Sequence, residues 1–427
     1  MPVTETGPLA PLRCPRCGRP GDPYDLTFYR GCPDCRAAGT PVNYVCEIPP
    51  ERVAAGLPAT RAPDAPGLWR WHEVLPVDPE YAVSLGEGGT PLLPLPRFGE
   101  RIGVPRLYLK NESANPTWSH KDRLAALSVA AARAAGATTI TAASTGNHGA
   151  ALAAYAGRAG LRCVIFTMAT VPETMKTLML SYGAEVIAVP EGGQRYVLLA
   201  EAVEQHGWYP ASNGTTPPVG STPYGVDGYK TIAYELYEQL GGRVPDVMVL
   251  PVAYGDCMSG LRRGFADLRA AGATDQVPRL VGAEVFTALA DGLAAAAEGA
   301  DRLGPVRTRP TAGFSIAGTH TTHQAIHAAQ DAVTVGEDDM LSVQRSLAAT
   351  EGVFGEASSA AAVAAATTLA RTGRIAPDET VVCLLTSSGL KDPAAGRALL
   401  PDVPVIDVNV TGAERFISGL DRREPSR

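Results

Sequence analysis

The chain has 427 residues, 45% hydrophobic and 19% charged, with a formal net charge of −7. That length can bury substantial cores and, as a soft prior, suggests two or three domains, while the acidic balance leaves no basic footprint for nucleic acid or anionic lipid. No apolar stretch reaches the ~20 residues needed to cross a bilayer, and Met1-Pro2-Val3-Thr4-Glu5 lacks the basic and apolar regions of a signal peptide, so a cytoplasmic protein with no nucleic-acid or membrane partner is expected.

The first feature along the chain is Cys14-Pro15-Arg16-Cys17, followed after fourteen residues by Cys32-Pro33-Asp34-Cys35. Two such knuckles can set four thiolates tetrahedrally around Zn²⁺ at ~2.3 Å, and the Pro and Gly residues suit the tight turns. Cys14, Cys17, Cys32 and Cys35 are expected to form a closed structural zinc site ordering a small ribbon-like module over 1–50, with disulfides or a metal-free ribbon as the alternatives. Cys46, Cys163, Cys257 and Cys383 are isolated in sequence and read as buried free thiols.

The segment Asn115-Pro116-Thr117-Trp118-Ser119-His120-Lys121-Asp122-Arg123 is a polar turn opening a helical, alanine-rich run at Leu124 to Ala135. A lysine at the positive end of a helix macrodipole is biased toward the neutral, nucleophilic amine, so Lys121 reads as a Schiff-base lysine for pyridoxal phosphate, against an ordinary first-turn lysine. Thr138 to Ala143 reads as a strand, and Ser144-Thr145-Gly146-Asn147-His148-Gly149 follows it directly before the helical run Ala150 to Ala159. Such a turn points backbone N–H groups and the Asn147 side chain at whatever lies beyond the strand.

Further short apolar runs at Arg162 to Thr167, Glu185 to Val189, Val247 to Val252, Leu280 to Glu284 and Val381 to Leu385 fit buried parallel strands. The alanine-rich stretch Ala357 to Ala370 between the last two suits a close-packed helix. Asn213 to Gly220 is the clearest linker.

The Lys121 and Asn147 segments together resemble the fold type II pyridoxal-phosphate enzymes, and specifically the threonine synthase family. Similar motifs are Gly67-Leu68-Trp69-Arg70-Trp71, Ser84 to Leu92, Tyr108-Leu109-Lys110-Asn111-Glu112, Pro223-Tyr224 with Gly228-Tyr229-Lys230-Thr231, Glu351-Gly352-Val353-Phe354, and Leu385 to Pro393. The resemblance implies an α/β fold of two open, twisted, mostly parallel sheets flanked by helices. Its smaller domain would occupy 111–214 and its larger one 51–110 with 215–427. It further implies that Asn147 meets the cofactor's phenolic oxygen and Thr386 its pyridine nitrogen. The turn around Gly255, in Ala253-Tyr254-Gly255-Asp256-Cys257, would offer backbone N–H groups to the phosphate, with Asp256 turned away or capping a helix. Relatives suggest a homodimer.

Departures from the family bear on substrate. Trp118 stands where the family has Gly and would reshape the pocket; His120 replaces Phe. With these two, Ser144, Thr145 and His148 are the candidate contacts to an amino-acid substrate. His120, His148, His320 and His323 map near the cofactor, as polar contacts more readily than as a metal site. Gly225 replaces an arginine that is a candidate for phosphate recognition, so Gly225→Arg is expected to improve use of O-phosphohomoserine. The resulting reading is a threonine synthase-like lyase or synthase acting at Cβ or Cγ of an amino acid. The alternatives are a cysteate synthase-like or threonine dehydratase-like enzyme, or a non-catalytic metabolite-binding relative.

Overall fold

The computed structural model describes residues 7–57, 67–300, 304–397, 400–403 and 405. The readings on residues 1–5 and on the terminal stretch 406–427 lie outside these. The strands are β1 (Leu12–Arg13), β2 (Pro20–Gly21), β3 (Val45–Cys46), β4 (Leu92–Pro94), β5 (Leu107–Asn111), β6 (Thr139–Ala143), β7 (Arg162–Met168), β8 (Glu185–Val189), β9 (Tyr209–Pro210), β10 (Val247–Pro251), β11 (Arg279–Glu284), β12 (Asp331–Thr334) and β13 (Val381–Leu385). They form three sheets, in the orders β2-β1-β3, β12-β11-β10-β13-β5-β4 and β8-β7-β6-β9. The four-stranded sheet is wholly parallel, and the six-stranded one is parallel apart from the β4–β5 pair. The expected α/β architecture of two mostly parallel sheets flanked by helices is therefore present.

The six-stranded sheet is apolar throughout its centre because both of its faces are covered. Val247, Val249, Val381, Cys383 and Leu385 share a core with helix Ala357–Arg371. Met248, Leu250, Val382 and Leu384 pack with helices Lys230–Gln239 and Asp256–Ala270. Successive side chains of a strand point to opposite faces, so a strand buried on both must be a continuous apolar run. Ala357 and Ala360 to Ala366 are at most 4% exposed, as the close approach of that helix requires. One expectation fails: β8 is a sheet edge, with Glu185, Ile187 and Ala188 exposed, because its apolar run is covered on too few sides.

The N-terminal module is the three-stranded antiparallel sheet, with Cys14 and Cys17 in the turn between β1 and β2 and Cys32 and Cys35 at the start of the short helix Pro33–Ala37 that precedes β3. It docks on both larger parts of the molecule: Tyr29 donates to Glu204 at 2.8 Å, Tyr224 donates to the Ala10 carbonyl at 2.9 Å, and Asn43 donates to the Ser221 carbonyl at 2.8 Å. Residues 213–220 connect β9 to the helices preceding β10, and most of them are buried rather than open to solvent.

Candidate active site

Lys121 is the first residue of helix Lys121–Ala134, and a buried ionic cluster fixes where that helix starts. Arg123 pairs with Glu112 at 2.7 Å and with Glu235 at 2.7 Å, and Lys110 pairs with Glu235 at 2.6 Å, all at most 3% exposed. Two cations face two carboxylates, so the cluster closes without net charge, and removing one member would cost about 3–5 kcal/mol. It clamps the helix start to β5 and to helix Lys230–Gln239.

The ends of β6, β10 and β13 converge on this helix start. The His120 backbone N–H and the Thr386 carbonyl bond at 2.9 Å, Ser119 pairs with Ser387, and Asn147 accepts from Ser387 at 3.2 Å. Burial lowers the Lys121 ammonium below its ordinary range, and the charges of Asp256 and Cys257 oppose the shift. Its Nζ lies 5.5 Å from the Tyr229 ring centroid. Tyr229 also stacks on the His120 ring, at 5.4 Å and 25°. The His120 Nδ1 meets the Thr386 carbonyl at 3.1 Å, which requires that nitrogen to carry the proton. Burial and the nearby Lys121 charge hold His120 well below the usual imidazole range, and they push His148 down to about 3.

Among the buried polar atoms without a hydrogen-bond partner are Ser119 Oγ, two residues before Lys121, His148 Nε2, on a ring that feels the Lys121 charge, and Tyr229 Oη, on the ring 5.5 Å from Lys121 Nζ. Buried polar groups are rarely left so, and atoms of this kind beside Lys121 suit a polar occupant. Thr386 Oγ1 lies 2.8 Å from Ser359 Oγ, so it can accept from that hydroxyl while donating to an aromatic nitrogen. Gly255 has φ +77°, and a Cβ there would lie 2.4 Å from Ala325 Cβ, so only glycine fits this turn. Asp256 is engaged within the fold: it accepts from the Ser221 N–H at 3.0 Å, the Ser221 hydroxyl at 2.8 Å and Gln324 at 2.5 Å. The donor set therefore fits pyridoxal phosphate.

Other candidates are more constrained than expected. The Ser144 hydroxyl accepts from the Gly149 N–H at 2.8 Å and caps its own turn, while Thr145 is half-buried beside it. Trp118 is 44% exposed and has φ +62°. Gly225 cannot accommodate the guanidinium suggested above: it is buried, and a Cβ would lie 2.3 Å from Ser128 Oγ. Helix contact, not a missing cation, explains its small size here. The histidines form no metal cluster; among the described residues the one such group is Cys14, Cys17, Cys32 and Cys35, whose sulfurs lie within 4.8 Å of one another. The closest sulfurs, 3.5 Å and 3.6 Å apart, match the ~3.8 Å edges of a tetrahedron with ~2.3 Å arms. All eight cysteines are free, and Cys46, Cys163, Cys257 and Cys383 are buried.

Sequence reasoning missed Glu356, Ser359 and Lys391, which bond the predicted residues directly. Lys391 lay in a motif already recognised, but nothing local marks it as buried.

The family model described as pyridoxal-phosphate dependent enzyme matches residues 83–387. The threonine synthase of Methanosarcina acetivorans is 33% identical over 83% of this chain and 88% of its own length. That of Methanocaldococcus jannaschii is 32% identical, with the same coverage. Among solved structures, an O-ureido-L-serine synthase has a TM-score of 0.60 and 25% identity, covering 77% of this chain and 96% of that one. The threonine deaminase isoform 2 of Solanum lycopersicum, at 0.59 and 18%, covers 78% and 83% and shares the fold. The chain belongs to the pyridoxal-phosphate-dependent enzyme family. Within that family it is threonine synthase-like, an enzyme of the carbon–oxygen lyase kind.

Proposed function

We propose that this enzyme eliminates or replaces an oxygen leaving group at Cβ or Cγ of an amino acid, with conversion of O-phosphohomoserine to threonine as the first reaction to test. The observation that carries the reading is a Lys121 amine at a helix start whose ammonium form burial disfavours, with the Tyr229 ring 5.5 Å away and unpartnered polar atoms on Ser119, His148 and Tyr229. Bound pyridoxal phosphate would act as the electron sink for a carbanion at Cα. Lys121 would hold the cofactor and, once released, take the Cα proton. Asn147 would donate to the phenolic oxygen, Thr386 to the pyridine nitrogen, and the turn at Gly255 to the phosphate. Trp118, His120, Ser144, Thr145 and His148 would line the substrate side. Zn²⁺ on Cys14, Cys17, Cys32 and Cys35 would be structural, since four thiolates leave no open coordination position. A cytoplasmic homodimer is the setting we assign.

The second reading sets replacement or elimination at Cβ of another amino acid against the O-phosphohomoserine reaction, and it is favoured by Gly225. Its close packing against Ser128 leaves no room for an arginine at that position. Product analysis with O-phosphohomoserine, O-phosphoserine and threonine separates the two. Threonine formed from O-phosphohomoserine supports the first, a keto acid or β-substituted product from the others supports the second, and no product from any of them refutes both.

A further inference from the structure

Lys391 is a fully buried lysine that the reaction as described does not use. Its ammonium donates to Asn147 Oδ1 at 2.8 Å, and the Ser387 hydroxyl donates to the same oxygen at 3.2 Å. On the other side of the amide, Asn147 Nδ2 donates to Glu356 Oε2 at 2.9 Å, while Glu356 Oε1 accepts from Ser315. Two donors fill the amide oxygen's lone pairs, and one of the two amide hydrogens is committed. The remaining hydrogen has no partner among the described residues. A flipped amide would set NH₂ against an ammonium and oxygen against a carboxylate, so the charges fix the orientation.

We propose that Lys391 is a positioning residue that acts on the cofactor through Asn147, orienting and polarising the amide so that its free N–H meets the phenolic oxygen. This rests on the role of Asn147 given under the proposed function. An apolar side chain would fill the same space without the desolvation cost of a buried cation. A cation one amide away from an oxygen that becomes negative has an electrostatic use: it favours the deprotonated form of the lysine-bound cofactor. The surrounding charges are consistent. Burial pulls Lys391 down to about 8, opposed by Asp122 and Glu356, and burial lifts Asp122 to about 7. Asp392 also lies within reach of the Glu356 charge.

The test is the pH titration of the visible band of the cofactor-loaded protein, with cofactor affinity measured by fluorescence. Lys391→Met should raise the titration midpoint by about one pH unit and weaken cofactor binding ~tenfold, a loss of about 1.4 kcal/mol. Lys391→Arg should restore part of both, and Glu356→Gln, which removes an anion, should move the midpoint down. A folded Lys391→Met with an unmoved midpoint would overturn the proposal. Should that variant not fold, Glu356→Gln decides, and an unmoved midpoint there has the same consequence. Borohydride trapping separates the two levels: cofactor fixed on Lys121 with unmoved midpoints sinks only this inference, whereas cofactor fixed elsewhere sinks the site on which it rests.

Discussion

Gly225 touches Ser128 so closely that a Cβ would lie 2.3 Å from its hydroxyl and 3.0 Å from the Leu124 carbonyl oxygen. The Ser128 hydroxyl is itself held, donating to that carbonyl at 2.7 Å. Any side chain at 225 therefore pushes on the helix that begins at Lys121. Gly225→Ala should cost about 1–3 kcal/mol, the usual range for overpacking, read as a lower urea midpoint. Gly225→Arg should lower turnover of O-phosphohomoserine, if the enzyme uses it. A gain with Gly225→Arg would refute this packing account.

Trp118 is the one non-glycine residue with positive φ among those described, at +62°. An L-residue in that region costs roughly 1–2 kcal/mol, partly offset by the chain entropy that glycine loses on folding. Trp118→Gly relieves that strain but also removes a side chain that at 44% exposed is still more than half covered, burial worth roughly 2 kcal/mol or more, so the variant should lose about 1 kcal/mol, read as a lower melting temperature. A clear rise in melting temperature would show instead that the backbone strain outweighs the covered surface of the ring.

The lysine turn and the Ser-Thr-Gly-Asn turn were legible because each is a local device: a strand, a polar turn and a helix contiguous in sequence. β8 was legible as a short apolar run but not as an edge strand, a position that depends on neighbours the sequence does not order. The Asn147–Glu356 and Asn147–Lys391 bonds were illegible for the same reason. They join residues separated by 209 and 244 positions, and no periodicity spans such distances. Gly225 was misread because its smallness was weighed against a ligand, whereas its partner is Ser128 on a neighbouring helix.

Lys121→Ala should abolish borohydride fixation of the cofactor and nearly all turnover while leaving the circular dichroism spectrum unchanged, because only an amine at this position can serve. Peptide mapping of the trapped wild-type protein provides the check. Label on Lys110, Lys230 or Lys391 would displace Lys121 from its role.

Purified protein should carry about one zinc per chain, and Cys14→Ser should lose it. The consequence should stay local, because the module is tied to the rest through contacts such as Arg263 to the Cys46 carbonyl at 2.8 Å and Asn43 to Ser221 at 2.8 Å. Faster proteolysis within 1–50, with the cofactor retained, is the expected pattern. Metal-free wild-type protein prepared without chelator would remove zinc from the account.

His148 gives a pH dependence whose sign is fixed. Burial and the Lys121 charge push its imidazole down to about 3, from an ordinary value of 6.5. Between those values the unfolded chain binds a proton that the folded protein refuses, so stability falls as pH drops. The contribution is complete above about pH 6.5 and shrinks at up to about 1.4 kcal/mol per unit below it. Between pH 6.5 and 4.5 the wild type should therefore lose about 2 kcal/mol more than His148→Gln, which cannot take up the proton. Urea unfolding of both proteins at the two pH values measures the difference. Parallel losses would mean that the folded protein admits the proton, by letting water or a carboxylate reach the Nε2 atom that has no partner here.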